Sequence, residues 1–305
     1  MELKIWEAYK QWIEFSRMKY KPILWIMLAL VATIAVFVVV QILSMLLIQG
    51  VTLLPVAFSM ATFVLMLGYP YLKSESIIGS IEKNFSDALK QMADTLKAGD
   101  TYESALREVA DADYGRLSEE MQLALRRLED GENLDNALQE FAERIDSKII
   151  KRTITIILDS IKTGASLADI LDDIAEDVRD FERLKEERKS NTTMQFLFLL
   201  FSGGMIAPII FGEINAVVAG FANIGAQTLD PAQISNALET NNFIVLLIQL
   251  YIIIEVLGSG IMMSLTREGK LNKSIIYIPI LLLIAFVFYY LSVIVIKGIL
   301  MGATA

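Results

Sequence analysis

Two glutamates stand where glutamates are costly. Glu213 lies in PIIFGEINAVVAG and Glu255 in LLIQLYIIIEVLGSG, each within an apolar run. An ionisable residue at membrane depth marks a site that holds a proton, an ion or a polar partner. Glu255 is central in its run, and Glu213 is nearer one end. Two readings stay open: both carboxyls face a protein interior and hold a partner span, or both are protonated and bridge helices within one subunit.

The rest of the side-chain inventory narrows the chemistry. The chain has no Cys and no His, which excludes disulfides, thiolate metal sites, imidazole bases and Ser-His-Asp triads. No GxxxxGK[ST] loop is present, and Gly258-Ser259-Gly260 has neither a third Gly nor a preceding strand, so it reads as close helix packing. The expectation is a protein that is not an enzyme, with no catalytic residue, cofactor or metal ligand. Basic residues stand out in three places: Arg126-Arg127, Lys151-Arg152, and the loop residues Arg267, Lys270 and Lys273. Each is a candidate contact for an acidic partner, and each is equally a solvated helix face or a topology signal.

The elements that position these groups come from hydropathy. The chain has 305 residues, 54% of them hydrophobic, and a mean hydropathy of +0.51, too apolar for a soluble protein. Five runs reach the roughly 20 residues that cross a bilayer: Ile23–Ile48, Val51–Tyr71, Met194–Gly220, Phe243–Leu265 and Ile275–Ile296. The first is too long for a signal-peptide core and is read as a retained helix. Pro55, Pro208 and Pro279 are expected to bend their spans.

Charge sets the expected orientation. The N-terminal bases Lys4, Lys10, Arg17, Lys19 and Lys21, the block after the second span, and the loop bases Arg267, Lys270 and Lys273 all fall on one side of a five-span chain. The positive-inside rule assigns that side to the cytoplasm, in a cytoplasmic (inner) membrane. Loop Phe221–Asn242, with no Lys or Arg, then lies outside, and Lys297 snorkels at the outer end of the last span. Residues 1–21 carry Ile5, Trp6, Tyr9, Trp12, Ile13 and Ser16 on one helical stripe, which fits either a helix lying on membrane lipid or a basic topogenic flank.

The acid is concentrated in one soluble block. Residues 73–192 hold 28 Asp and Glu against 18 Lys and Arg, so no broad basic face meets a phosphate backbone and nucleic acid is excluded as a partner. Within this block a pattern recurs three times: LKAGDTYESALREVA, LEDGENLDNALQEFA and IKTGASLADILDDIA. Each begins where a stripe with helical spacing runs into a Gly: Gly99, Gly131 and Gly164. A left-handed residue ends a helix there without a Cβ penalty. Two residues on stand the N-caps Thr101, Asn133 and Ser166, and a second stripe follows. Three helical hairpins predict a six-helix bundle. The last helix shows no Pro or Gly before the third span and is expected to run into it, whereas Tyr69-Pro70-Tyr71 and Lys73-Ser74 leave room for a break before the first.

The expected fold is thus an all-α integral membrane protein with five transmembrane helices and a six-helix cytoplasmic bundle between spans two and three. Its divisions are a basic amphipathic segment at 1–21, spans one and two at 22–72, the bundle at 73–192, and spans three to five at 193–305. NFSDALKQMADTLKAGDTYESALREVA, LEDGENLDNALQEFAERI and IKTGASLADILDDIAEDV, in this order between spans, resemble the type II secretion system F family over residues 70–220. With one such domain the chain looks like the short form, as in Tad-type and archaeal pilus or archaellum platform proteins. The resemblance implies a membrane platform that engages a hexameric secretion ATPase and handles pilin subunits. It implies work as a homodimer or beside a homologous second platform subunit. On that view Glu213 and Glu255 contact pilin, and the three basic clusters contact the ATPase. The alternative is a secondary transporter using the two glutamates, against which stands the lack of an inverted repeat. A membrane signalling module is disfavoured by outer segments of at most 22 residues, 221–242.

Overall fold

The computed structural model describes residues 2–18, 20–47, 53–162, 166–226 and 231–302, and the regular structure among them is helical throughout. The helices are α1 (Glu2–Phe15), α2 (Pro22–Leu47), α3 (Leu54–Lys97), α4 (Tyr102–Asp111), α5 (Arg116–Glu129), α6 (Leu134–Arg144), α7 (Lys148–Lys162), α8 (Leu167–Asn191), α9 (Thr193–Phe201), α10 (Ala207–Ala226), α11 (Pro231–Glu268) and α12 (Ser274–Gly302). Five helical stretches are long and apolar enough to cross a membrane. The chain divides into two compact units. One comprises 14–16 and 71–188, the other 1–13, 17–70 and 189–305.

The first unit has the core of a helical bundle. Its buried side chains come from α3 to α8 and include Phe85, Leu89, Leu106, Leu117, Met121, Phe141, Ile150, Ile157 and Leu171. Phe85 and Phe141 stack at its centre with ring centroids 6.3 Å apart. Two of the three expected hairpins are seen closing in the same way. Gly99 has φ 95° and donates to Leu96 O, while Asp100 donates to Thr95 O. Gly131 has φ 91° and donates to Leu128 O, while Glu132 donates to Arg127 O. This is the Schellman pattern, and it satisfies carbonyls that the helix end orphans. Thr101 then accepts from Ser104 N and Asn133 from Asn136 N, capping α4 and α6. Gly164 lies outside the described residues. Ser166 begins α8 by accepting from Ile170 N through its backbone oxygen.

Polar ties hold the bundle helices in register. Asp172 on α8 receives Lys90 and Lys97 from α3, and these hydrogen bonds hold its carboxyl down at about 2. Glu82 on α3 accepts from Ser147 at the head of α7 (2.7 Å) and from Lys185 on α8 (3.1 Å).

In the unit that carries the apolar candidate spans, α12 packs on α10 and α11, and its Leu281, Ala285, Phe286, Tyr289 and Val293 share one buried cluster with residues of α11 and the start of α3. Backbones approach closely. A Cβ on Gly212 would stand 2.5 Å from Tyr289 O, and one on Gly260 would stand 2.5 Å from Ile278 Cγ1 and 3.1 Å from its Cα. Small residues at such points let transmembrane helices meet by van der Waals contact. Gly258, by contrast, has nothing within 4 Å, so the packing expected of Gly258-Ser259-Gly260 falls to Gly260 and Ser259.

Four expectations are corrected. No break precedes the bundle: α3 runs through Pro70. A proline removes the donor to the carbonyl four residues back, here Met66 O, and the Trp25 indole N–H donates to that oxygen instead (2.9 Å) while its ring stacks on Tyr69. Pro55 falls in the first turn of α3, where it costs the helix nothing. Pro279, unlike Pro55, does lie inside its helix, α12, the setting in which a bend is expected. The expected loop Phe221–Asn242 is mostly helix, because α10 extends to Ala226 and α11 begins at Pro231, a favoured first helical position. Finally, the run from α8 into the third span is one helical stretch from Leu167 to Gly220, as expected, but it is interrupted at the single residue Thr192 (φ −95°, ψ 1°), which separates α8 from α9.

Candidate functional site

The intramembrane acids differ in setting. Glu213 is exposed on the outer stripe of α10 with Ile206, Ile210, Ile214 and Val217, a spacing of three and four that makes one continuous face. It has no polar partner among the described residues, so no bridge to another described helix forms there. Glu255 on α11 is half-buried, and its Oε2 is shut off from solvent without a hydrogen bond.

Between the spans of the same unit runs a polar seam that the sequence did not disclose. Asn215 donates to the Tyr289 hydroxyl (2.8 Å), Gln249 donates to the Tyr290 hydroxyl (3.1 Å), and Leu53 N donates to Gln249 Oε1 (2.9 Å). Ser292 donates to Ile209 O (2.9 Å). Asn215, Gln249, Tyr289, Tyr290 and Ser292 are buried, and their mutual satisfaction removes the cost of polar atoms in hydrocarbon. The available signal was Asn215 and Gln249 standing inside apolar runs. Also missed was the π-turn Ser202–Ile206, at which the third span changes register before Pro208. Turns of this kind recur at functional sites.

The basic residues sort by what they already touch. Arg127 pairs with Glu132 (3.1 Å) and with Glu140, closing the second hairpin. Lys151 pairs with Asp146 (3.3 Å) and Lys273 with Glu268 (2.8 Å). Arg267 lies over the Phe196 ring, 4.7 Å from its centroid. Arg126, Arg152 and Lys270 have exposed side chains with no carboxylate against them among the described residues. Lys270 is engaged only through its backbone oxygen, which accepts from Ser264 (2.5 Å). On the bundle, a shallow cleft is lined by Asp87, Asp94, Asp100, Glu108 and Tyr114, with Lys90 in it. Hydrogen bonds from Thr95 and Gln91 lower the Glu108 carboxyl from its ordinary range. No group of three or more metal-ligating acids occurs among the described residues.

Residues 88–213 match the family model of the type II secretion system protein F. The matched segment begins on α3, takes in the remainder of the bundle, and ends at Glu213 on α10. No curated protein and no solved structure matches the chain.

Proposed function

We propose, on the premise that residues 88–213 carry a type II secretion system protein F domain, that this chain is the membrane platform of a type IV pilus-like, archaellum or type II secretion machine. The bundle is cytoplasmic and meets a hexameric secretion ATPase, and the spans meet pilin subunits and a second platform subunit, identical or homologous. The family match carries the reading. Two features support it: a bundle flanked in sequence by five apolar spans, and a chain whose lack of His, Cys and a phosphate loop leaves it to act as a non-enzymatic scaffold.

The contact sites belong to the same proposal. Arg126, Arg152 and Lys270 are the foremost ATPase contacts, since their charges are free to meet an acidic face. Arg127, Lys151, Arg267 and Lys273 flank them and are partly engaged within the chain. Glu213, on an apolar and exposed face of α10, is the intramembrane contact for pilin or for the second platform subunit. The test is co-purification in mild detergent with site-specific crosslinkers at Arg126 and Lys270. Capture of the secretion-type ATPase encoded beside this gene, and its release by Arg126→Glu with Lys270→Glu, is the expected result. Failure to capture it from folded protein removes the central partner and the reading with it.

A further inference from the structure

Glu255 has an environment that no feature of a platform requires. Along α11, residues 251, 255 and 259 share one stripe by their spacing of four. At its outer end Tyr251 meets Phe211 of α10, ring centroids 4.8 Å apart. At its inner end Ser259 Oγ would stand 2.6 Å from a Cβ on Gly203, in the π-turn. The two contacts show α11 running antiparallel to this part of the third span, which places Glu255 level with Ala207, between the π-turn and Pro208. There its Oε2 is buried and unpartnered.

The facing backbone is short of a donor at the same level. Ala207 N bonds to Ser202 O in π register. The next residue, Pro208, has no N–H, so at least one of Gly203 O and Gly204 O lacks the donor an unbroken helix supplies. Helical carbonyls point toward the C-terminal end, and the freed oxygen is therefore directed toward the level of Glu255. At Pro70 the same deficit is met by Trp25. At Pro208 no side chain among the described residues meets it.

We propose that Glu255, Ser259 Oγ and the carbonyl freed at Gly203 or Gly204 form an intramembrane site for one alkali-metal cation. A carboxylate, a hydroxyl and a carbonyl are hard oxygen donors, and unwound backbone near a membrane midplane coordinates ions of this kind. One carboxylate balances one positive charge. The other span carboxylate, Glu213, is exposed on α10's outer stripe. The phenols of Tyr289 and Tyr290 in the same unit are engaged by Asn215 and Gln249, so a single carboxylate would leave a divalent ion uncompensated. This inference is independent of the platform reading.

Labelling of the full detergent-solubilised chain by dicyclohexylcarbodiimide tests it, since the reagent attacks protonated membrane carboxyls and a bound cation displaces that proton. Glu255 is read by peptide mass, with Glu213 as internal control. At NaCl or KCl about ten times the half-protecting concentration, labelling of Glu255 falls about tenfold relative to choline chloride of equal ionic strength. Glu213 is not protected. Ser259→Ala and Pro208→Ala, the latter restoring the missing N–H, each raise the half-protecting concentration. Because Pro208→Ala favours helix, it keeps the test valid if Ser259→Ala does not fold. Equal labelling of Glu255 in all three salts, or protection unchanged in both variants, overturns the site.

Discussion

A single side chain supplies the donor that Pro70 takes from α3. Trp25 supplies a donor to Met66 O at the position that Pro70 leaves empty, so Trp25→Phe keeps the ring and removes the N–H. We expect it to lower stability by about 1 kcal/mol, since the carbonyl left without its donor is part-buried, measured by denaturant titration in detergent against Trp25→Tyr. Gly131 is the converse case, a residue chosen by backbone conformation. At φ 91° a Cβ is strained, and Gly131→Ala is expected to cost about 1–2 kcal/mol, although nothing lies within 4 Å of the added methyl. Gly131 was legible from its place between two stripes. The role of Trp25 was not, because its partner is 41 residues away.

Between elements, the bundle is held by an apolar core and by a few charged ties whose behaviour with pH follows from Asp172. Its hydrogen bonds to Lys90 and Lys97 depress its pKa from 3.8 to about 2. A carboxyl lowered on folding stabilises the folded state above its unfolded pKa, and that contribution is lost as pH falls through the folded value. Asp172→Asn therefore lowers the melting temperature at neutral pH, and its difference from the parent closes as pH is taken from 3.8 to about 2. A difference that persists at the acid end would assign the effect to packing. In the core, Phe141→Ala removes the ring stacked on Phe85 and is expected to cost about 3–5 kcal/mol, with the bundle's amide exchange reporting it. In the membrane, Gly212→Val forces a branched side chain against Tyr289 O and Ser292, separating α10 from α12. Its readout is loss of crosslinking between cysteines placed at Ile209 and Ser292, positions joined by a hydrogen bond in the parent.

For the whole molecule, hydropathy and periodicity were enough to place five apolar spans, an acidic helical block and hairpins closing at Gly99 and Gly131, because these are local properties: length against bilayer thickness, stripe spacing, and a residue able to adopt positive φ. Thr101 and Asn133 as caps belong to the same class. The type II secretion F resemblance was likewise carried by short segments, and residues 88–213 bear it out. What only the tertiary structure decided are the relations between residues far apart in the chain. Arg127 reads as a free cation beside Arg126 until α6 brings Glu140 to it. Glu213 and Glu255 read alike in sequence, yet one is exposed on the outside of α10 and the other has a buried oxygen level with a π-turn. Burial and partnership are set by which helix faces which, and that depends on close approach at glycines such as Gly203, Gly212 and Gly260, where the sequence states only that no side chain stands in the way.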